Sequence, residues 1–340
     1  MTGVSGAPLR LGLSLSNEVP VRETVALAVE AERLGLSEVW LPESGHGRGM
    51  FTVATAVALA TSRIKLGIGI VNPFWRHPSV IAMEAAALDE VAGGRILLGL
   101  GAALWTLRAF GETDARAKRP LAAMVEAIRV VRALVRGESG VDGKVFAVRA
   151  EARLDFPLVS RMPVYVGAVN AKMLQAAGAW ADGVELGAIV SPGYARWAWQ
   201  QVAVGARSAG RDPAGLDLAS NVLVSVDHDA QAARDAVRRV LAYYLHRVEA
   251  VVLSTSGAEP ERMGRVRQAV FDQGVEAGAA LLDDQLIDTF AAAGAPEHVA
   301  RRLQDFAAAG LRGMLAWHVI GPDRIRSLRL LAEDVWPRVV

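Results

Sequence analysis

The sequence predicts a (β/α)8 barrel of the TIM type, and three observations carry that reading. Eight short apolar segments with strand character are spread along the 340 residues. Helical segments separate most of them, and no Pro-, Gly- or Ser-rich linker divides the chain, which reads as one domain over residues 1–340. Repeated strand-then-helix units give a parallel sheet with crossover helices, and eight such units in this length suit a closed barrel better than a doubly wound sheet.

The elements follow in order. LRLGLSLS (9–16) is the first strand. VRETVALAVEAERLG (21–35) places Val25, Ala28, Val29, Ala31 and Leu34 on a helical stripe, with Gly35 where a C-cap belongs. SEVWLPE (37–43) is a strand, FTVATAVALATS (51–62) a buried helix and IKLGIGIV (64–71) the third strand. PSVIAMEAAALDEVAGG (78–94) is a helix closed by a glycine pair, and RILLGLG (95–101) is strand four. GKVFAVRAEARL (143–154) alternates in polarity and reads as an inserted surface hairpin. Strand PVYVGA (163–168), helix KMLQAAGAWA (172–181), strand DGVELGAI (182–189) and helix YARWAWQQVAVGARSAG (194–210) resume the alternation. LDLASNVLVSV (216–226) is strand seven, followed by a long helix to about Val252 and an extra helical excursion over 254–285. Helix PEHVARRLQDFAAAG (296–310), strand LRGMLAWHV (311–319) and a last helix (322–337) complete the set.

Composition removes several function classes. Lys plus Arg total 37 against 36 for Asp plus Glu, which leaves no electrostatic footprint for nucleic acid or an anionic membrane. Cysteine is absent, so disulfides and thiolate chemistry are excluded together. The six histidines lack zinc-site spacing, and no metal site is expected. The first ten residues lack the charged start and apolar core of a signal peptide, and no run of about 18 apolar residues occurs. A cytoplasmic enzyme acting on a small molecule is the expectation.

In such a barrel, chemistry belongs at the C-terminal ends of the strands. Strand three contains Gly67 and Gly69 and runs straight into Asn72, Phe74, Trp75, Arg76 and His77. Those glycines either admit something flat against the backbone or relieve crowding inside the barrel. Gly99 and Gly101 on strand four pose the same choice, and they are not a dinucleotide fingerprint because position 104 is Leu. GAVNAK (167–172) leaves an apolar strand and opens a helix. Its free N–H groups and the helix dipole make an anion cradle from Gly167, Ala168 and Asn170, with Lys172 to neutralise a phosphate. Glu43 and His46 follow strand two and are the candidate catalytic acid and proton shuttle. Phe74, Trp75, Leu104 and Trp105 suggest an apolar substrate wall, and Trp317 and His318 end the last strand at the same mouth.

Several of these strand ends, taken together, resemble a known family. Trp40 and Glu43 at strand two, Gly-x-Gly-x-x-Asn-Pro over 67–73, His77-Pro78, Leu88-Asp89-Glu90, Gly93-Gly94-Arg95 and Gly99-x-Gly101 look like the signature of the luciferase-like flavin and deazaflavin oxidoreductases. The match is most similar to the branch containing methylenetetrahydromethanopterin reductase, which uses coenzyme F420. Residues 163–188 and 293–317 extend the likeness over nearly the whole chain. The resemblance implies a non-prolyl cis peptide at Gly69–Ile70 that bulges from strand three and supports the cofactor ring, with Ser14, Asn72, Gly99 and Gly101 in the same berth. It also implies a homodimer built from the helices after strands two and three. Acids that relatives carry on strand one and after Gly-x-Gly are replaced here by Ser14 and Leu104.

The implied reaction is hydride transfer between F420 and a small, largely apolar molecule with a C=N, C=C or C=O group. FMN-dependent monooxygenation in the same barrel is the first alternative, and a non-catalytic flavin-binding protein the second. Arg48, Arg63 and Arg76 are candidates to meet the anionic tail of F420 beyond Lys172.

Overall fold

The computed structural model describes residues 7–16, 18–43, 46–103, 119–138, 141, 143–146, 148–149 and 151–340, and of 318–320 the backbone alone. Among the described residues, nine parallel strands form one sheet: β1 (Arg10–Ser14), β2 (Glu38–Leu41), β3 (Lys65–Val71), β4 (Ile96–Leu100), β5 (Val164–Gly167), β6 (Gly183–Leu186), β7 (Asp217–Val226), β8 (Ala291–Gly294) and β9 (Gly313–Ile320). Strands β1 to β6 pair in sequence; β6 pairs with β7, β7 with β9, and β9 returns to β1, closing the eight-stranded barrel predicted from sequence. The short β8 is a ninth strand that pairs with the upper end of β7 at Leu223–Val226. Its Ala-Ala-Ala-Gly sequence has little intrinsic strand preference, and pairing to β7 decides its conformation.

Other boundaries shift for identifiable reasons. Among the described residues, the predicted hairpin over 143–154 shows a single antiparallel bridge, Val141 to Val148. The N–H groups of Lys144, Val145 and Phe146 donate instead to the Glu126 carboxylate, so they do not build a ladder. Glu126 belongs to a helix, Pro120–Leu134, that the sequence reading leaves unassigned. The long helix after β7 stops at Leu245 and a short one, Ala250–Ser254, follows. The excursion is helical as expected, over Pro260–Gln273, Val275–Ala280 and Asp284–Phe290. Met263, Val266, Ile287 and Phe290 form its core with Leu241 and Leu245, and that core reaches Trp317 at the barrel mouth.

The barrel interior is layered. At the N-terminal end of the strands Arg10 ion-pairs with Asp217 and lies 3.6 Å from the buried Glu38, while the Tyr165 hydroxyl donates to Asp217 at 2.6 Å. Burial pushes the Glu38 carboxyl up from its ordinary range. Above this floor Trp40, Leu97, Tyr165, Ala219 and Leu315 pack together, the Trp40 and Tyr165 rings edge-on at 5.4 Å. The two glycines of β3 belong to this layer. A Cβ on Gly67 would lie 2.0 Å from the Trp40 indole, and one on Gly69 2.5 Å from it. Of the two readings open at the sequence level, the space at these glycines is filled by a side chain of the barrel itself.

Candidate active site at the barrel mouth

The C-terminal end of β3 is irregular. Its register against β4 jumps between Ile68 and Val71, and the Gly69–Ile70 peptide is cis, at the position implied by the family resemblance. The Ile70 side chain turns into the barrel, where three bare backbones receive it. A Cβ on Gly101 would lie 2.6 Å from Ile70 Cγ1, and one on Gly167 2.8 Å from Ile70 Cγ2. A Cβ on Gly99 would meet the Ile68 carbonyl at 2.5 Å and Ile70 Cγ2 at 3.4 Å. The room beside Gly99, Gly101 and Gly167 seats Ile70, which becomes an apolar shelf of the mouth.

Asn72 is fully buried and ties the two strand ends together. Its Nδ2 donates to the Ala102 carbonyl at 2.6 Å, and its Oδ1 accepts from the Phe74 N–H at 2.8 Å. Glu43 completes the brace. Its carboxylate accepts from Arg76 Nη1 at 2.6 Å, from the Trp75 indole at 3.1 Å and from the Asn72 N–H at 3.3 Å. With both oxygens held by three donors, Glu43 fixes the loop after β3. His46 lies in an exposed turn. Phe74 and Trp75 are half-buried, with the indole N–H of Trp75 committed to Glu43. Ser14 at the end of β1 lines a cavity of about 30 Å³ with Leu15, Ser16, Arg324 and Leu328. Leu104, Trp105 and the side chain of His318 lie outside the described residues.

The loop after β5 leads straight into a helix start. Helix Ala171–Trp180 starts at Asn170 with no side-chain cap, and Asn170 and Lys172 are exposed. Such a start presents N–H groups and the positive end of a helix dipole. The Ala168 N–H, by contrast, donates to the Glu185 carbonyl at 3.1 Å and is not part of the cradle. Beneath the loop the buried Tyr194 hydroxyl donates to the Val169 carbonyl at 2.9 Å and holds the turn in place. The three predicted cations divide. Arg76 pairs with Glu43 and Glu84, the Arg48 guanidinium donates to the Glu18 carbonyl, and Arg63 precedes β3 at the opposite end of the barrel.

Sequence reasoning passed over Glu185 and Asn221. Glu185 stands near the mouth end of β6, 7% exposed. Asn221 Nδ2 donates to its Oε1 at 3.0 Å, and burial pushes the carboxyl up to about 8. A lone acid between Val184 and Leu186 in an apolar strand was the available signal.

The model of the luciferase-like monooxygenase family matches residues 1–313. The chain belongs to that family. Within it, 5,10-methylenetetrahydromethanopterin reductase of Archaeoglobus fulgidus is 31% identical over 337 residues, covering 97% of this chain and all of that one. An F420-dependent glucose-6-phosphate dehydrogenase of Rhodococcus erythropolis is 29% identical, covering 97% and 98%. The solved coenzyme F420-dependent tetrahydromethanopterin reductase of Methanopyrus kandleri superposes with a TM-score of 0.89 at 26% identity, over 98% of this chain and all of that one. These luciferase-like relatives are enzymes, and the likeness to the methylenetetrahydromethanopterin reductases expected from the strand-end motifs is present along the chain.

Proposed function

We propose that this chain is an oxidoreductase that uses coenzyme F420 to exchange a hydride with a small, largely apolar molecule bearing a C=N, C=C or C=O group. The observation that carries the reading is the rim itself: an Ile70 shelf seated by three glycines, beside a helix start that is uncapped and carries Lys172. An apolar shelf suits a planar ring, and the helix start suits a phosphate. The F420-dependent relatives support the same group. When bound, a deazaflavin supplies a carbon-centred hydride carrier that reacts poorly with oxygen. This chain's part is to fix the shelf through Asn72 and Glu43 and to hold the tail at Asn170 and Lys172. Trp317, packed against Tyr244 with ring centroids 4.5 Å apart, walls the opposite side of the mouth with apolar surface.

FMN remains the second reading, favoured by one observation. Of the cations expected to meet a long anionic tail, Arg76 is bound to carboxylates and Arg63 is at the far end of the barrel. Titrating the apoprotein with F420 and with FMN separately decides between them. F420 is expected to bind at least roughly tenfold tighter, and Lys172→Ala to weaken it by roughly tenfold through loss of a charge-assisted contact. Tighter binding of FMN with oxygen-dependent turnover reverses the assignment.

We further infer a homodimer joined through helices Met50–Ala60 and Pro78–Ala92. Leu59 is 74% exposed, Met83 48% and Val91 45%. Between these helices Phe51, Thr55, Ala87 and Leu88 line an open groove of about 310 Å³. Exposed apolar surface of this kind marks an interface. Sedimentation is expected to give twice the chain mass, and Met83→Arg to give the monomer; a monomeric wild type removes the inference.

A further inference from the structure

Among the described residues, no cation pairs with the carboxyl of Glu185 at the mouth. Glu185 comes from β6 and lies under the first turn of the cradle. Its backbone carbonyl receives the Ala168 N–H, and its Oε2 lies 3.7 Å from where a Cβ on Gly167 would be. The same point is 2.8 Å from Ile70 Cγ2, so the carboxyl and the shelf share one wall of the mouth. Oε1 accepts from Asn221; Oε2 makes no hydrogen bond among the described residues and is not one of the fully buried unpaired atoms, so it is open to the mouth. On the other side of the pair, Asn221 Oδ1 is buried and also without a partner. A buried acceptor left unfilled, as Asn221 Oδ1 is, is costly unless a donor completes it.

We propose that Glu185 is the acid that protonates the substrate when hydride is transferred in this barrel. The proposal rests on the hydride-transfer reading above. A buried carboxyl without a cation stays neutral, and a neutral carboxyl is a donor. The groups that face Glu185 agree with this. Ile70 from β3, Gly167 from β5 and Asn221 from β7 are neutral. Tyr194, from helix Pro192–Ser208, is the ionisable group that feels its charge, and Tyr165 and Asp217 belong to the floor network below. Burial pushes this carboxyl up to about 8, close to the operating range a general acid needs. In the step itself a C–H bond of the reduced cofactor breaks, and its hydrogen moves with the electron pair to the substrate carbon. The cofactor is oxidised and the double bond reduced. The heteroatom or second carbon of that bond takes the proton from Glu185 Oε2, leaving a carboxylate that regains its proton from solvent.

Two measurements test this, and they fail separately from the cofactor assignment. The first uses apoprotein: the infrared difference between wild type and Glu185→Gln isolates the carboxylic-acid band. The band is expected at pH 6 and lost with a midpoint near 8; a carboxylate already at pH 6 overturns the proposal. The second follows oxidation of reduced F420 by the naphthoquinone menadione in single turnover. Glu185→Gln, which keeps the Asn221 hydrogen bond, is expected to slow the step by roughly 10²–10⁴-fold with F420 affinity unchanged. The wild-type rate is expected to fall roughly tenfold per pH unit above about 8, and Glu185→Asp to recover part of it. An unchanged rate and pH profile in Glu185→Gln, or a wild type that binds the reduced cofactor yet passes nothing to the quinone, overturns it. Failure of wild type to bind F420 at all would instead reject the cofactor, with the infrared titration still deciding where the proton resides.

Discussion

Gly67→Ala is expected to destabilise the protein by about 3 kcal/mol, the upper end of the cost of overpacking a close-packed core. The added Cβ would lie 2.0, 2.3 and 2.5 Å from three atoms of the Trp40 indole. Trp40 is 2% exposed and cannot step aside, because Tyr165, Leu97 and Leu315 enclose it. Urea unfolding of both chains measures the loss. The cause is checked by a second substitution: Trp40→Leu in the Gly67→Ala background is expected to cost much less than it does alone. A strongly non-additive cycle of that sort identifies a shared contact. If Gly67→Ala unfolds at the wild-type urea concentration, the packing explanation for the β3 glycines is wrong.

The second large effect depends on pH. Glu185 has a folded-state pKa of about 8 against an ordinary value of 4.5. The native state therefore holds a proton that the unfolded chain has released, and stability falls as pH rises through that interval. Below about 4.5 both states are protonated and the group costs nothing; above about 8 the full cost is present. Each unit of displacement corresponds to about 1.4 kcal/mol. Glu185→Gln removes the ionisation, so its stability relative to wild type is expected to be near zero at pH 4.5 and to grow by a few kcal/mol toward pH 9. Glu38 is shifted in the same direction by burial, which makes the difference between the two chains the quantity to follow. Parallel stability curves for the two chains would show Glu185 to be ionised or exposed in the native state.

The eight barrel strands were legible because each carries β-branched or leucine residues between turn signals, and local pattern alone places such segments. β8 was not, since its alanines acquire extended structure only from the edge of β7. The site divides in the same way. Residue type and order marked the loop after β3, the helix start at Asn170 and the family signature. What partners those residues take is tertiary, and the sequence does not display it. Glu43 reads as a free acid until Arg76, Trp75 and the Asn72 N–H are found on it. Gly99, Gly101 and Gly167 read as room for a ligand until Ile70 fills it. Glu185 was visible as a charge in an apolar strand, but its burial depends on β5 and β7 closing around it.

The layer around Trp40 also separates two polar levels of one barrel. The floor holds Arg10, Glu38 and Asp217, the rim holds Glu185 and Asn221, and Trp40, Leu97, Tyr165, Ala219 and Leu315 pack between them. Groups at the two levels share no hydrogen bond among the described residues, so the endurance of the fold and the chemistry of the rim can be altered by substitutions whose effects add.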